Sequence, residues 1–254
     1  MEMISLKDIS FSYNGNMVLA GISHDFRRGS FTAVMGPNGS GKTTLIRLMN
    51  GILKPLEGSV VIRDRQIDKI KPDVLAQEMA YVPQVQMNVF PATVFDTVLL
   101  GRKPYIRWSP GKRDKEFASS VLVKLGLDDI ALKDINRLSS GQRQRVFIAR
   151  ALAQEPDIIL LDEPTANLDL QHQHEVMALL KHLSSTGITI IIAIHDLNLA
   201  LKYCSEFMLL DEGRQVAQGS HDIISKELIE DIYKVKVRII KEEEQTFIIP
   251  LKPL

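Results

Sequence analysis

Cysteine is nearly missing from this chain. Of 254 residues only Cys204 is one, which excludes an internal disulfide and fits a protein kept in a reducing compartment. An excess of charge of either sign is missing too. The 31 Lys and Arg balance the 31 Asp and Glu, so the formal net charge is zero. Nothing global points to a nucleic-acid binder or to a polycation at a membrane surface. Long apolar runs are absent. The longest, Ile190 to Ile194, is far shorter than the roughly 18 residues a membrane span needs, so the chain is expected not to cross a bilayer by itself. The opening stretch MEMISLKDIS lacks the basic-then-apolar layout of a secretory signal.

What is present is an ordinary globular composition, 45% hydrophobic and 24% charged, on a chain long enough for one large domain with a smaller lobe inserted. Residues 3–9 and 17–26 alternate around Asn14-Gly15-Asn16, which predicts a hairpin. Short strands are expected at Ser30–Met35, Gly58–Arg63 and Met79–Pro83. Continuous apolar runs at Ile158–Leu161 and Ile188–Ile194 predict buried parallel strands. Helices are expected over Thr43–Asn50, Asp114–Lys124, Gly141–Ala153, Gln171–Ser184 and Leu197–Cys204. A second hairpin is expected around Asp211-Glu212-Gly213, and the tail should hold a helix near 225–233 with two strands joined at Glu242–Glu244. From about Val85, frequent Pro and Gly break the pattern. The expectation is therefore an α/β core over 1–84 and 151–254 with a helical lobe over 85–150. Strands alternating with helices imply a mainly parallel sheet, with ligands at the strands' carboxyl ends.

The stretch GPNGSGKTT, Gly36 to Thr44, lies at such an end. Its spacing Gly36-x-x-x-x-Gly41-Lys42-Thr43 is that of a phosphate cradle. Glycines let backbone amides turn inward, the helix that follows aims its positive end at the same point, Lys42 can reach the outer phosphates, and the Thr43 hydroxyl can hold Mg2+. In DIILLDEP, Asp162 and Glu163 close a buried strand. Asp162 suits a metal, and Glu163 suits the polarisation of an attacking water. In LSSGQRQRV, Ser139 and Gln142 have the spacing of a capping box, so the helix there should open with amides free for a second anion. His172 and His174 stand two apart on an expected helix and face different ways. They are read as a solvated face, not a metal pair.

Together these residues resemble the nucleotide-binding subunit of an ABC transporter, over nearly the whole chain and in that family's motif order. GPNGSGKTT is similar to its Walker A motif, Gln84 to its Q-loop glutamine, LSSGQ to its signature, IILLDEP to Walker B, Ala166–Asp169 to the D-loop, His195 to the switch histidine, and Tyr13 to the aromatic that stacks on adenine. Ser140 departs from the glycine most common at that place. The resemblance implies a P-loop NTPase fold, with a mainly parallel core sheet, an antiparallel β subdomain at the N-terminus and an inserted α-helical lobe. It implies ATP and Mg2+ as ligands, with Gly36, Pro37, Asn38, Gly39, Ser40, Gly41, Lys42, Thr43 and Thr44 around the phosphates and Tyr13 at the base. Ser139, Gly141, Gln142 and Asp169 would act across a head-to-tail pair of subunits. Thr43, Gln84 and Asp162 would hold the metal, and Glu163, His195, Lys42 and Gln84 would serve hydrolysis.

The partners implied are a second nucleotide-binding subunit, transmembrane permease subunits and, indirectly, a substrate-binding protein, with the chain peripheral on the inner face of the cell membrane. Thr93–Trp108, especially Gly101-Arg102-x-Pro104, resembles importers of iron chelates (siderophores), haem or cobalamin. Import of bare metal ions and export remain open within the class. An ABC ATPase working on nucleic acid is disfavoured, since no long coiled-coil insertion or second nucleotide domain fits in 254 residues. A nucleotide-gated module without turnover is disfavoured by the presence of both Glu163 and His195.

Overall fold

The computed structural model of the chain describes residues 2–84, 91–243 and 245–254. The expected lobe boundary at Val85 and the turn residue Glu244 lie outside them. Two compact units are formed, Met1–Lys69 with Leu180–Leu254, and Ile70–Leu179.

The first unit opens with strands β1 (Glu2–Tyr13) and β2 (Asn16–Arg27). Asn14 and Gly15 join them, both with positive φ, the backbone that makes Asn-Gly a hairpin turn. Next come β3 (Phe31–Met35), helix α1 (Lys42–Met49), β4 (Glu57–Ile62) and β5 (Arg65–Gln66). An antiparallel sheet runs in the order β2-β1-β4-β5. The second unit holds α2 (Pro72–Glu78), β6 (Met79–Val82), α3 (Val94–Leu99), α4 (Lys112–Lys124), α5 (Ser140–Leu152), β7 (Ile158–Asp162) and most of α6 (Leu170–Ser185). The chain then returns to the first unit with β8 (Thr189–Ala193), α7 (Leu197–Tyr203), β9 (Glu206–Asp211), β10 (Arg214–Gly219), α8 (Lys226–Tyr233), β11 (Val235–Glu242) and β12 (Gln245–Pro253).

In the first unit β3 pairs in parallel with β8 on one side and β9 on the other, and β10 is antiparallel to β9. Every residue of β3 and β8 is buried, Thr32 and Thr189 included, which is why neither alternates as a half-exposed strand does. In the second unit β6 and β7 pair in parallel. Most expected helix and strand limits fall within two residues of those found, because hydrophobic period and turn chemistry are local signals. Helix α1, for example, begins one residue earlier than expected, and Gly51 at φ 72 follows its C-cap Asn50. Strand β1 instead runs to Tyr13, four residues past its expected end, and α2, α3 and β5 are not among the expected elements.

The Gly101-Arg102 pair proves to be a structural staple of the second unit. Arg102 is buried at 3% exposure. Its guanidinium donates to the Ala153 carbonyl at 2.7 Å and to Glu155 at 2.6 Å, and Asp114 lies 3.5 Å away. It is also stacked over Tyr105 and Phe117, 4.0 and 4.5 Å from their ring centres. A Cβ on Gly101 would lie 2.1 Å from the Arg150 carbonyl oxygen. The motif thus ties α4 and α5 together. Arg102→Ala should lower the unfolding free energy by about 2–3 kcal/mol, somewhat less than a fully buried pair because Glu155 is half-exposed. A denaturant titration measures this, and a change below about 0.5 kcal/mol would contradict the staple.

Candidate nucleotide site

The loop after β3 is built by steric exclusion. Gly36 sits at φ 149, and a Cβ there would lie 2.1 Å from the Leu210 carbonyl oxygen of β9. Gly41 is left-handed at φ 98, with a Cβ position 2.6 Å from Leu19 Cδ2. Neither place admits a side chain, so the backbone itself lines the loop. Lys42 is buried at 6% exposure and donates from Nζ to the carbonyls of Gly36 and Pro37, both at 2.8 Å. A fixed cation therefore lies within a ring of peptide groups at the start of α1. The buried Ser40 hydroxyl has no hydrogen-bond partner among the described residues. A buried polar group left so is costly unless a ligand or water engages it, and a phosphate oxygen suits it. Pro37 and Thr43 are part-buried, Thr44 is buried, and Asn38 and Gly39 are exposed at the loop's tip.

His195 stands in the same unit. Val34 of β3 is opposite Ala193 of β8, and the Ile194 amide donates to the Val34 carbonyl at 3.1 Å. The chain ends carrying the loop and His195 therefore leave the sheet side by side. His195 is exposed, and Asp196 caps α7 by accepting the Leu199 amide at 2.9 Å. Tyr13, at the end of β1, is 41% exposed with its ring edge-on to Phe11. An aromatic face is thus available for stacking.

In the second unit β6 and β7 run parallel with Val82 opposite Leu161, so Gln84 and Asp162-Glu163 emerge at adjacent strand ends. Asp162 is buried at 3% exposure. At Glu163 the backbone turns: its φ is 47, a left-handed conformation that non-glycine residues adopt at some cost. The turn aims the carboxylate toward the next strand, where Gln84 Nε2 donates to Glu163 Oε2 at 3.0 Å.

The signature forms the expected box. Ser139 Oγ accepts the Gln142 amide at 3.2 Å, and Gln142 Oε1 accepts the Ser139 amide at 3.3 Å. Ser139 and Ser140 are exposed at the head of α5, and Gly141 is buried. What covers Gly141 is His172, whose ring carbon would lie 2.1 Å from a Cβ placed there. His172 Nδ1 is 2.6 Å from Asp169 Oδ1, and its amide donates to the same oxygen at 2.9 Å. Those bonds to His172, the backbone one foremost, hold the Asp169 carboxyl below its ordinary range. The solvated-face reading of His172 is therefore corrected. The ring is pinned by Asp169 and fills the space the missing Cβ leaves. Its only sequence signal is Asp169-x-x-His172, the spacing of a helix N-cap and the amide it accepts.

A lysine cradled by glycine-lined amides after one parallel strand, and an acid pair after another, define a phosphate-loop nucleotide hydrolase. The profile of the ABC transporter family matches residues 19–166, and this chain belongs to that family. It is 43% identical over 240 residues, 94% of either chain, to the uncharacterized ABC transporter ATP-binding protein MJ0089 of Methanocaldococcus jannaschii. It is 35% identical to the petrobactin import ATP-binding protein FpuD of Bacillus anthracis, over 94% of this chain and 89% of that one. A solved ABC transporter of metal-chelate type, in an inward-facing conformation, superposes with a TM-score of 0.87 at 30% identity, covering 99% of this chain and 98% of that one. The chain is accordingly an ATPase whose turnover is coupled to transport.

The contact between Gly141 and His172 gives a direct prediction. Gly141→Ala should cost about 1–3 kcal/mol of stability, as overpacking does, and combining it with His172→Ala should recover most of that loss. Equal melting temperatures for Gly141→Ala and wild type would show that the ring does not close this space.

Proposed function

We propose that the chain is the ATP-hydrolysing subunit of an importer for a metal chelate of the siderophore, haem or cobalamin kind, working through separate membrane permease subunits. The observation that carries the hydrolytic part is the Gln84–Glu163 hydrogen bond. It holds the carboxylate that accepts a proton on the residue that begins the stretch leading to the helical lobe. Events at the phosphate are thereby tied to the segment the family resemblance places under the permease. The cargo class rests on likeness to the petrobactin importer subunit and the metal-chelate transporter. No helix among the described residues is long and apolar enough to cross a membrane, so the translocation path belongs to other subunits in this reading.

ATP would be held by the amides of 36–44 and the Lys42 ammonium, with its base against Tyr13. Mg2+ would be held by Thr43, Gln84 and Asp162, whose hydroxyl, amide and carboxylate oxygens are the hard donors it takes. The ion would neutralise phosphate charge. The donor end of Gln84 is engaged with Glu163, and its carbonyl oxygen is the end suited to a cation. In the reaction a water oxygen bonds to the γ-phosphorus and the bond from that phosphorus to the β,γ-bridging oxygen breaks. ADP leaves, and the water's proton passes toward Glu163. His195 would position the water or the γ-phosphate. Ser139, Gly141 and Asp169 would close over the phosphate of a second copy, so that ATP joins the two copies and hydrolysis loosens them.

Glu163→Gln keeps the side chain's shape but accepts no proton. It should lower turnover at saturating ATP about a hundredfold or more while leaving ATP affinity within threefold. Turnover near wild type removes Glu163 from this role. The cargo reading is tested separately in vesicles holding the copurified complex: ATP should drive uptake of ferric chelate, haem or cobalamin. Uptake of none of these, with ATP turnover intact, overturns it.

A further inference from the structure

None of the nucleotide motifs accounts for the C-terminal segment. Helix α8 is capped by Ser225, whose hydroxyl accepts the Leu228 amide at 3.1 Å, and it ends at Tyr233 with Lys234 left-handed at φ 55. The antiparallel pair β11–β12 follows, with Val237 and Ile248 buried. Two side chains clasp the edges of that pair. Glu230 Oε1 accepts the Val237 amide at 2.9 Å. Asn198 takes both backbone groups of Ile248: its Nδ2 donates to the carbonyl at 3.0 Å, and its Oδ1 accepts the amide at 2.7 Å. A side-chain amide presents one donor and one acceptor side by side, as a neighbouring strand would, and so closes a sheet edge.

Asn198 lies three residues beyond His195, at the start of α7. Among the described residues nothing hydrogen-bonds the His195 ring, so the ring is placed by its backbone alone. That backbone is fixed at one end by the Ile194 amide on Val34. At the other end it is fixed by the Asp196 cap and the Asn198 clasp. The same segment reaches the phosphate loop. The Tyr233 hydroxyl is shut off from solvent with the Gly36 amide as its neighbour, though outside strict hydrogen-bond geometry, and burial pushes its phenol far up.

We propose that the C-terminal β11–β12 hairpin is a brace for the switch histidine, and that Asn198, through its two hydrogen bonds to Ile248, is the positioning residue by which the hairpin sets His195 against the reacting phosphate. The proposal rests on the reading of His195 as a group that contacts the γ-phosphate or its water. Catalytic groups held on an exposed loop depend on such outer supports for their geometry.

The experiment compares the full-length chain with Asn198→Ala, Asn198→Asp, His195→Ala and, as a hairpin control away from the clasp, Leu251→Ala. ATP affinity, KM, kcat and melting temperature are measured for each. Asn198→Ala should lower kcat about tenfold, as small misplacements of a reacting group do, with ATP affinity and KM within twofold. Asn198→Asp keeps the acceptor for the Ile248 amide but sets a carboxylate against its carbonyl, and should fall between Asn198→Ala and wild type. Should Asn198→Ala fail to fold, the Asn198→Asp kcat decides the matter. Leu251→Ala should behave as wild type. If His195→Ala abolishes turnover while the folded Asn198 variants keep wild-type kcat, the brace is wrong and the reading of His195 stands. If His195→Ala turns over normally, the reading beneath it has failed instead.

Discussion

A lysine ammonium held inside a loop of backbone amides is the feature on which the site depends. The loop could not take this course with side chains at Gly36 and Gly41, because the space beside Gly36 belongs to the Leu210 carbonyl and the space beside Gly41 to Leu19. The loop is therefore shaped by its neighbours, β9 and β2, as much as by its own sequence. Once shaped, it concentrates positive charge and hydrogen-bond donors where a polyphosphate can replace solvent, at the first turn of α1.

Each compact unit repeats one device on this theme: two parallel strands end together and set two functional groups side by side. In the first unit β3 and β8 deliver the loop and His195. In the second, β6 and β7 deliver Gln84 and Glu163. Parallel strands buried on both faces are rigid supports for the short segments beyond their ends. The left-handed Glu163 and the clasped His195 loop both belong to that class. Gln84 bonds Glu163 directly, whereas the His195 backbone is held by the Val34, Asp196 and Asn198 contacts together.

Much of this was legible in the sequence, for physical reasons. Asn14-Gly15, the run Ile190–Ile194 and the spacing of Gly36, Gly41 and Lys42 are local patterns, and local patterns encode backbone period and turn type directly. The capping box at Ser139 and Gln142 is of the same kind. What local pattern does not encode is which groups meet across the chain. Asn198 and Ile248 are 50 residues apart, Gln84 and Glu163 are 79 apart, and the ion pair of Arg102 with Glu155 spans 53. His172 looked like a solvated histidine because nothing near it in sequence announces that Gly141 lies beneath its ring. In Gly101-Arg102, resemblance pointed to the importer class, and only the contacts reveal the pair's part in the fold, a buried cation tying helices together.

Equilibrium ATP binding by the full-length chain with Lys42→Ala tests the phosphate cradle most directly. Removing the ammonium should weaken ATP binding at least about tenfold, since a charge-assisted contact to phosphate is worth more than 1.4 kcal/mol. ATP affinity equal to wild type would mean that the lysine in this loop does not hold the phosphates, and the site described here would have to be placed elsewhere.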